Sequence, residues 1–161
     1  MTPAPGIQLA LVRHAKSDWG DPDIDDHDRP LNERGERDAP RMARQLVETG
    51  FWPEAVISST ALRARTTAEV FAHALDAPLR LEERLYAASA TTLLAVAAES
   101  GLQRVTLVAH DPGLTVLAAR LSRDRIDRMP TCAVALFTWA ETSWDVVDAV
   151  DPVSFSFDAP R

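Results

Sequence analysis

Three short apolar runs, at residues 9–12, 55–57 and 105–108, each break off abruptly into a polar cluster. Apolar runs of this length, without polar alternation, read as strands buried on both faces. Helical patterns separate them. Residues 31–47 carry Leu31, Met42, Leu46 and Val47 on an apolar side and stop at Gly50. Residues 61–75, 91–99 and 115–121 read as three further helices, the second of them closed near Gly101. Pro40 interrupts the first helix, so the sequence predicts a kink there or a second start capped by Asp38. Residues 78–81 form a short strand. Residues 134–139 and 144–150 read as two late strands joined by a turn, with the tail from Asp151 running over the surface. Strands alternating with helices predict an α/β fold whose sheet is covered on both faces.

The 161 residues suit one domain spanning 1–161, since no repeat or low-complexity linker divides them. No apolar run is long enough to span a bilayer, and the first residues lack the basic and apolar regions of a secretory leader. A cytoplasmic protein without membrane association is expected. Cys132 is the lone cysteine, which excludes an internal disulfide and a thiolate metal cluster; its apolar surroundings read as core. A formal net charge of -7 opposes nucleic-acid binding. It leaves room for an anion site, because a few arginines in a cleft override the global field locally.

The chemistry lies where the apolar runs end. The first ends in Arg13-His14, followed by Lys16 and Ser17. The second ends in Ser58, Ser59 and Thr60, then Arg63 in the first turn of a helix. The third ends in His110-Asp111. Ligands of open α/β sheets bind outside the carboxyl ends of the strands, so a doubly wound sheet would bring these clusters together. Such a set suits phosphoryl transfer through a histidine. One neutral imidazole attacks phosphorus, its other nitrogen held as N–H by a backbone carbonyl. Guanidinium forks take the phosphoryl oxygens, and the second histidine donates to them. Taken singly, His14 reads as structural, His110 as a neighbour of the cap Asp111, and Arg63 as a surface residue; together at three strand ends they read as a site. Arg65 lies on another face of its helix, and His27 and His73 are left outside. Asp23, Asp25, Asp26, His27 and Asp28 crowd together without ligand spacing, so the segment 18–29 reads as a solvated acidic loop flanking the pocket, and no metal or cofactor is expected.

The stretches LVRHAKSDW, DRPLNERG, ISSTALRARTTAE and VAHDPGL closely resemble the SixA-like phosphohistidine phosphatases, a compact branch of the histidine phosphatase (phosphoglycerate mutase-like) superfamily. The resemblance runs from about Leu9 to about Leu117, with the motifs in the family's order. It implies a three-layer α/β/α sandwich with a mostly parallel central sheet. It implies His14 as the phosphorylated nucleophile, with Arg13, Arg63 and His110 binding the phosphoryl group and Ser17 near it. Many members of the superfamily carry an acidic general acid mid-chain; Glu82 and Glu83 fall in that region, and no motif fixes either. The expected activity is a metal-independent phosphatase acting on phosphohistidine of a signalling or phosphotransfer protein. The alternatives are a phosphomonoesterase for a small phosphorylated metabolite and a phosphate-binding module without turnover.

Overall fold

In the computed structural model, which describes residues 6–161, the three apolar runs lie side by side in one six-stranded sheet. The reading of residues 1–5 as free of a leader lies outside the described residues. The strands are β1 (Gln8–Arg13), β2 (Ala55–Ser58), β3 (Leu79–Leu81), β4 (Arg104–Ala109), β5 (Val134–Thr138) and β6 (Ser154–Asp158), in the order β3-β2-β4-β1-β5-β6. The four strands β3, β2, β4 and β1 are parallel, and β5 and β6 are antiparallel additions. The crossovers are α1 (Glu33–Glu48), α2 (Leu62–Leu75), α3 (Ala90–Glu99) and α4 (Gly113–Ser122).

The pleat divides β1 between two cores. Leu9 and Leu11 pack with Leu93, Val96, Leu114 and Leu117 of α3 and α4. Ala10 and Val12 pack with Met42, Leu46, Ala64 and Phe71 of α1 and α2. The result is the expected three-layer sandwich. Each fully buried aliphatic side chain contributes about 1.5–3 kcal/mol, so the sheet centre, buried on both faces, is the most strongly held part.

Several local expectations are corrected. Helix α1 runs through Pro40 without a second start, capped by the Asn32 side chain, which accepts from Gly35 N–H. Asp38 is instead buried and paired with Arg34 at 3.5 Å. Val47 is exposed rather than on the core side. Residues 144–150 are not a strand: Trp144–Val146 is a 3-10 turn whose Trp144 indole donates to the Leu102 carbonyl. The sixth strand lies later, at Ser154–Asp158, in the stretch read as an unpaired tail. Its alternation is the physical reason. Phe155 packs inward on Phe137 while its neighbours face water, a pattern of one-sided burial that a search for continuous apolar runs passes over.

The register fixes the site. Arg13 stands opposite Ala109, and Ser58 opposite Val108. The carboxyl ends of β2, β4 and β1 are therefore adjacent. Gly35 lets α1 close against the chain leaving β1, because a Cβ there would strike the Lys16 carbonyl oxygen.

Candidate active site

His14 follows β1, and its ring is buried beside that of His110, which follows β4; the centroids are 5.1 Å apart. His14 Nδ1 lies 2.7 Å from the Ala15 carbonyl oxygen. A carbonyl only accepts, so Nδ1 carries the hydrogen and Nε2 keeps its lone pair. Ala15 is itself tied down: its N–H donates to Thr67 Oγ1 at 3.0 Å, and that hydroxyl donates to the Arg63 carbonyl one turn back in α2. Burial pushes the His14 imidazole down to about 3, against the opposing pull of the Ala15 hydrogen bond and with help from His110, Arg63 and Arg13. Burial, then Arg63, pushes His110 down to about 4. Both rings are neutral near pH 7.

Around them is a cavity of about 250 Å³ lined by Arg13, His14, Lys16, Ser17, Arg63 and His110, together with Trp19, Asp26, Arg29, Asp111 and Thr131. Arg13 donates to the Met129 carbonyl (2.9 Å) and lies 3.5 Å from Asp111. Arg63 donates to the Asp26 carbonyl (2.6 Å) and carboxylate (3.0 Å). Six buried side-chain polar atoms lack a partner among the described residues, and three belong here: Arg13 Nε, Arg63 Nε and His110 Nδ1. Orphaned polar groups are costly in a finished core, and three of the six belong to residues that line this one cavity. His110 Nε2 meets Ser59 Oγ at 2.8 Å.

Ser17 is buried, and its hydroxyl accepts from Arg29 at 2.7 Å. Arg29 is a cavity residue that the sequence reading did not single out. It is the only arginine or lysine in the acidic segment 18–29, and that isolation was the available signal. Nor is the segment wholly solvated. Asp26 reaches back to Arg63, Arg29 and the Tyr86 hydroxyl, and the Tyr86 hydrogen bond, then Arg63, hold its carboxyl down at about 2. Tyr86 in turn stands edge-on to His110 at 5.5 Å.

Glu82 and Glu83 are not among the residues lining this cavity. Glu82 pairs with Arg84 at 3.0 Å, which lowers its pKa, and Glu83 is exposed. Arg65 pairs with Glu69 on the surface. Cys132 is buried, its thiol pushed up to about 12 by burial, while its N–H donates to the carbonyls of Arg13 and His14. Among the described residues no cluster of three or more histidine, cysteine or carboxylate side chains is arranged to hold a metal ion, and no helix is long and apolar enough to cross a membrane.

The sequence profile of the histidine phosphatase superfamily (branch 1) matches residues 9–91. The chain belongs to that superfamily. An uncharacterised protein of Mycobacterium tuberculosis is 36% identical over 163 residues, covering 93% of this chain and 100% of the relative. Among solved structures, a candidate phosphohistidine phosphatase SixA from Agrobacterium tumefaciens superposes with a TM-score of 0.78 at 27% identity, covering 96% of this chain and 99% of that one. The protein histidine phosphatase SixA complexed with tungstate shares the fold, with a TM-score of 0.73 at 22% identity over 95% of each chain. The protein is thus a SixA-like histidine phosphatase, and its activity is that of a phosphatase.

Proposed function

We propose that this phosphatase removes the phosphoryl group from phosphohistidine on a signalling or phosphotransfer protein, through a phosphohistidine intermediate on His14. The observation that carries the reading is the His14 imidazole: neutral, locked through Nδ1 on the Ala15 carbonyl, in a cavity that Arg13, Arg29 and Arg63 also line. In the first step Nε2 attacks phosphorus and the bond from phosphorus to the substrate nitrogen breaks. The departing imidazole takes a proton from solvent water. A water molecule then attacks the phosphohistidine, breaking its bond from phosphorus to Nε2, releasing phosphate and a proton and returning His14 to its starting form. Arg13, Arg63 and His110 hold the phosphoryl oxygens, with Arg29 adding charge through the side of the cavity that Ser17 occupies. The three arginines supply the charge neutralisation that a metal would otherwise give.

The choice of phosphohistidine is supported by the carboxylates. Asp26 is held ionised by Tyr86 and two arginines, Asp111 accepts from Thr115 at 2.8–3.0 Å, and Glu82 is tied to Arg84. None is placed as a strong proton donor. A protonated imidazole leaves far more readily than an alkoxide, so a phosphoramidate tolerates that lack and a sugar phosphate does not.

The test has two parts. Wild-type enzyme mixed with phosphohistidine peptide and quenched should carry an acid-labile phosphoryl label that His14→Ala lacks; near-normal turnover by His14→Ala refutes the covalent route. A series of substrates of graded leaving-group pKa should give steeply falling rates, with Glu82→Gln and Glu83→Gln changing phosphohistidine turnover less than about tenfold. A flat series that turned steep in either variant would identify an acid and move the assignment to a small phosphate ester.

A further inference from the structure

Trp19 belongs to the LVRHAKSDW stretch, yet the phosphoryl transfer described above gives it no contact with the substrate. It is 71% exposed, and isolated exposed apolar residues are ordinary on a protein surface. Trp19 differs in its setting. It lines the cavity, and the Arg29 guanidinium lies 3.4 Å from its ring centroid. Arg29 is buried and held on Ser17 Oγ, the Asp18 carbonyl and Asp26, so it backs one face of the indole with a fixed cation. The opposite face remains open to solvent at the mouth of the phosphoryl site. A flat π surface in that position suits a flat leaving group.

We propose that Trp19 is a specificity-determining residue whose open face receives the planar imidazole ring of the substrate's phosphorylated histidine while the phosphoryl group sits among Arg13, Arg63 and the two histidines. The proposal rests on the phosphohistidine reading given above. Stacking of this kind confers binding of the ring itself, independent of the phosphoryl contacts, and so separates substrates by what leaves.

The experiment compares a phosphohistidine peptide with phosphoramidate, whose leaving group has no ring. Trp19→Ala should lower kcat/KM for the peptide about tenfold, chiefly through KM, and change phosphoramidate turnover less than about twofold. Trp19→Phe should recover most of the loss. Trp52→Ala is the control: Trp52 is 63% exposed but precedes β2, at the opposite end of the sheet from the cavity. Phosphoramidate turnover also reports that the variants are folded. Equal losses on both substrates, or no loss on the peptide, overturns the role of Trp19 while leaving the phosphohistidine reading intact. A wild-type enzyme that hydrolyses sugar phosphates but neither test substrate overturns that reading, and the proposal with it.

Discussion

Lowering the pH from 7 to 5 should destabilise this protein through two specific histidines. His14 and His110 are held at about 3 and about 4 in the folded chain, against about 6.5 when unfolded. Between the unfolded and folded values the unfolded chain binds protons that the folded chain refuses, so stability falls as pH falls. The loss begins near pH 6.5 and is complete below the folded values. At pH 5 each group has crossed roughly one and a half pH units at about 1.4 kcal/mol per unit, or about 2 kcal/mol each and about 4 kcal/mol together. Asp26 adds nothing to this window, because its titration lies well below pH 5 in either state. The assay is urea unfolding at pH 7 and pH 5 for wild type, His14→Gln, His110→Gln and the double variant. Each glutamine should remove about half of the pH-dependent loss. An equal loss in wild type and double variant would refute the claim that burial, acting on these two rings, keeps them neutral.

Arg63→Lys keeps the charge but loses the planar fork that now engages both the carbonyl and the carboxylate of Asp26; kcat should fall on the order of tenfold to a thousandfold in steady-state assays. Thr67→Val keeps the shape but leaves the buried Ala15 N–H without its acceptor, which should cost about 1–3 kcal/mol in urea unfolding and lower kcat by misplacing His14. Exhaustive chelation should leave activity unchanged; loss with EDTA that a divalent ion restores would contradict charge neutralisation by arginine.

Most of the architecture was legible because it rests on continuous burial. Strands β1, β2 and β4 are buried on both faces and announce themselves as apolar runs. The polar residues that follow them pointed to one end of the sheet, and the register of β1, β4 and β2 brings Arg13, His14, Arg63 and His110 to one cavity there. What escaped was set by tertiary context. Strand β6 is an edge with little burial, so its sequence carries little hydrophobic signal. Arg29 and Asp26 sit in a loop whose composition says only that it is acidic; that the loop folds back onto α2 follows from the Arg63–Asp26 pairing, which spans 37 residues. Thr67 gave no sign either, since a buried threonine that bridges a helix carbonyl and a loop amide looks like any other helical threonine.

The charge of the cavity links binding to the protonation of His110. Its lining carries Arg13, Lys16, Arg29 and Arg63 against Asp26 and Asp111, so with both imidazoles neutral the four cations exceed the two carboxylates by two. A phosphoryl group carries a charge of roughly -1.5 to -2 at pH 7 and balances that excess. The chain's net charge of -7 interferes little, because exposed charges beyond about 8 Å are screened at physiological ionic strength. Burial, with the arginines adding to it, opposes protonation of both rings, which keeps the proposed nucleophile ready. An occupying phosphoryl dianion cancels that field and favours an imidazolium at His110, the ring not engaged in attack. Binding would thus strengthen His110 as a hydrogen-bond donor to the phosphoryl oxygens, while the leaving group is still left without a strong acid. The expected result is that tungstate or phosphate raises the His110 pKa from about 4 by at least one unit in an NMR titration. An unchanged His110 titration in saturating tungstate would separate the anion site from the histidine pair and leave the second ring without a role in the transfer.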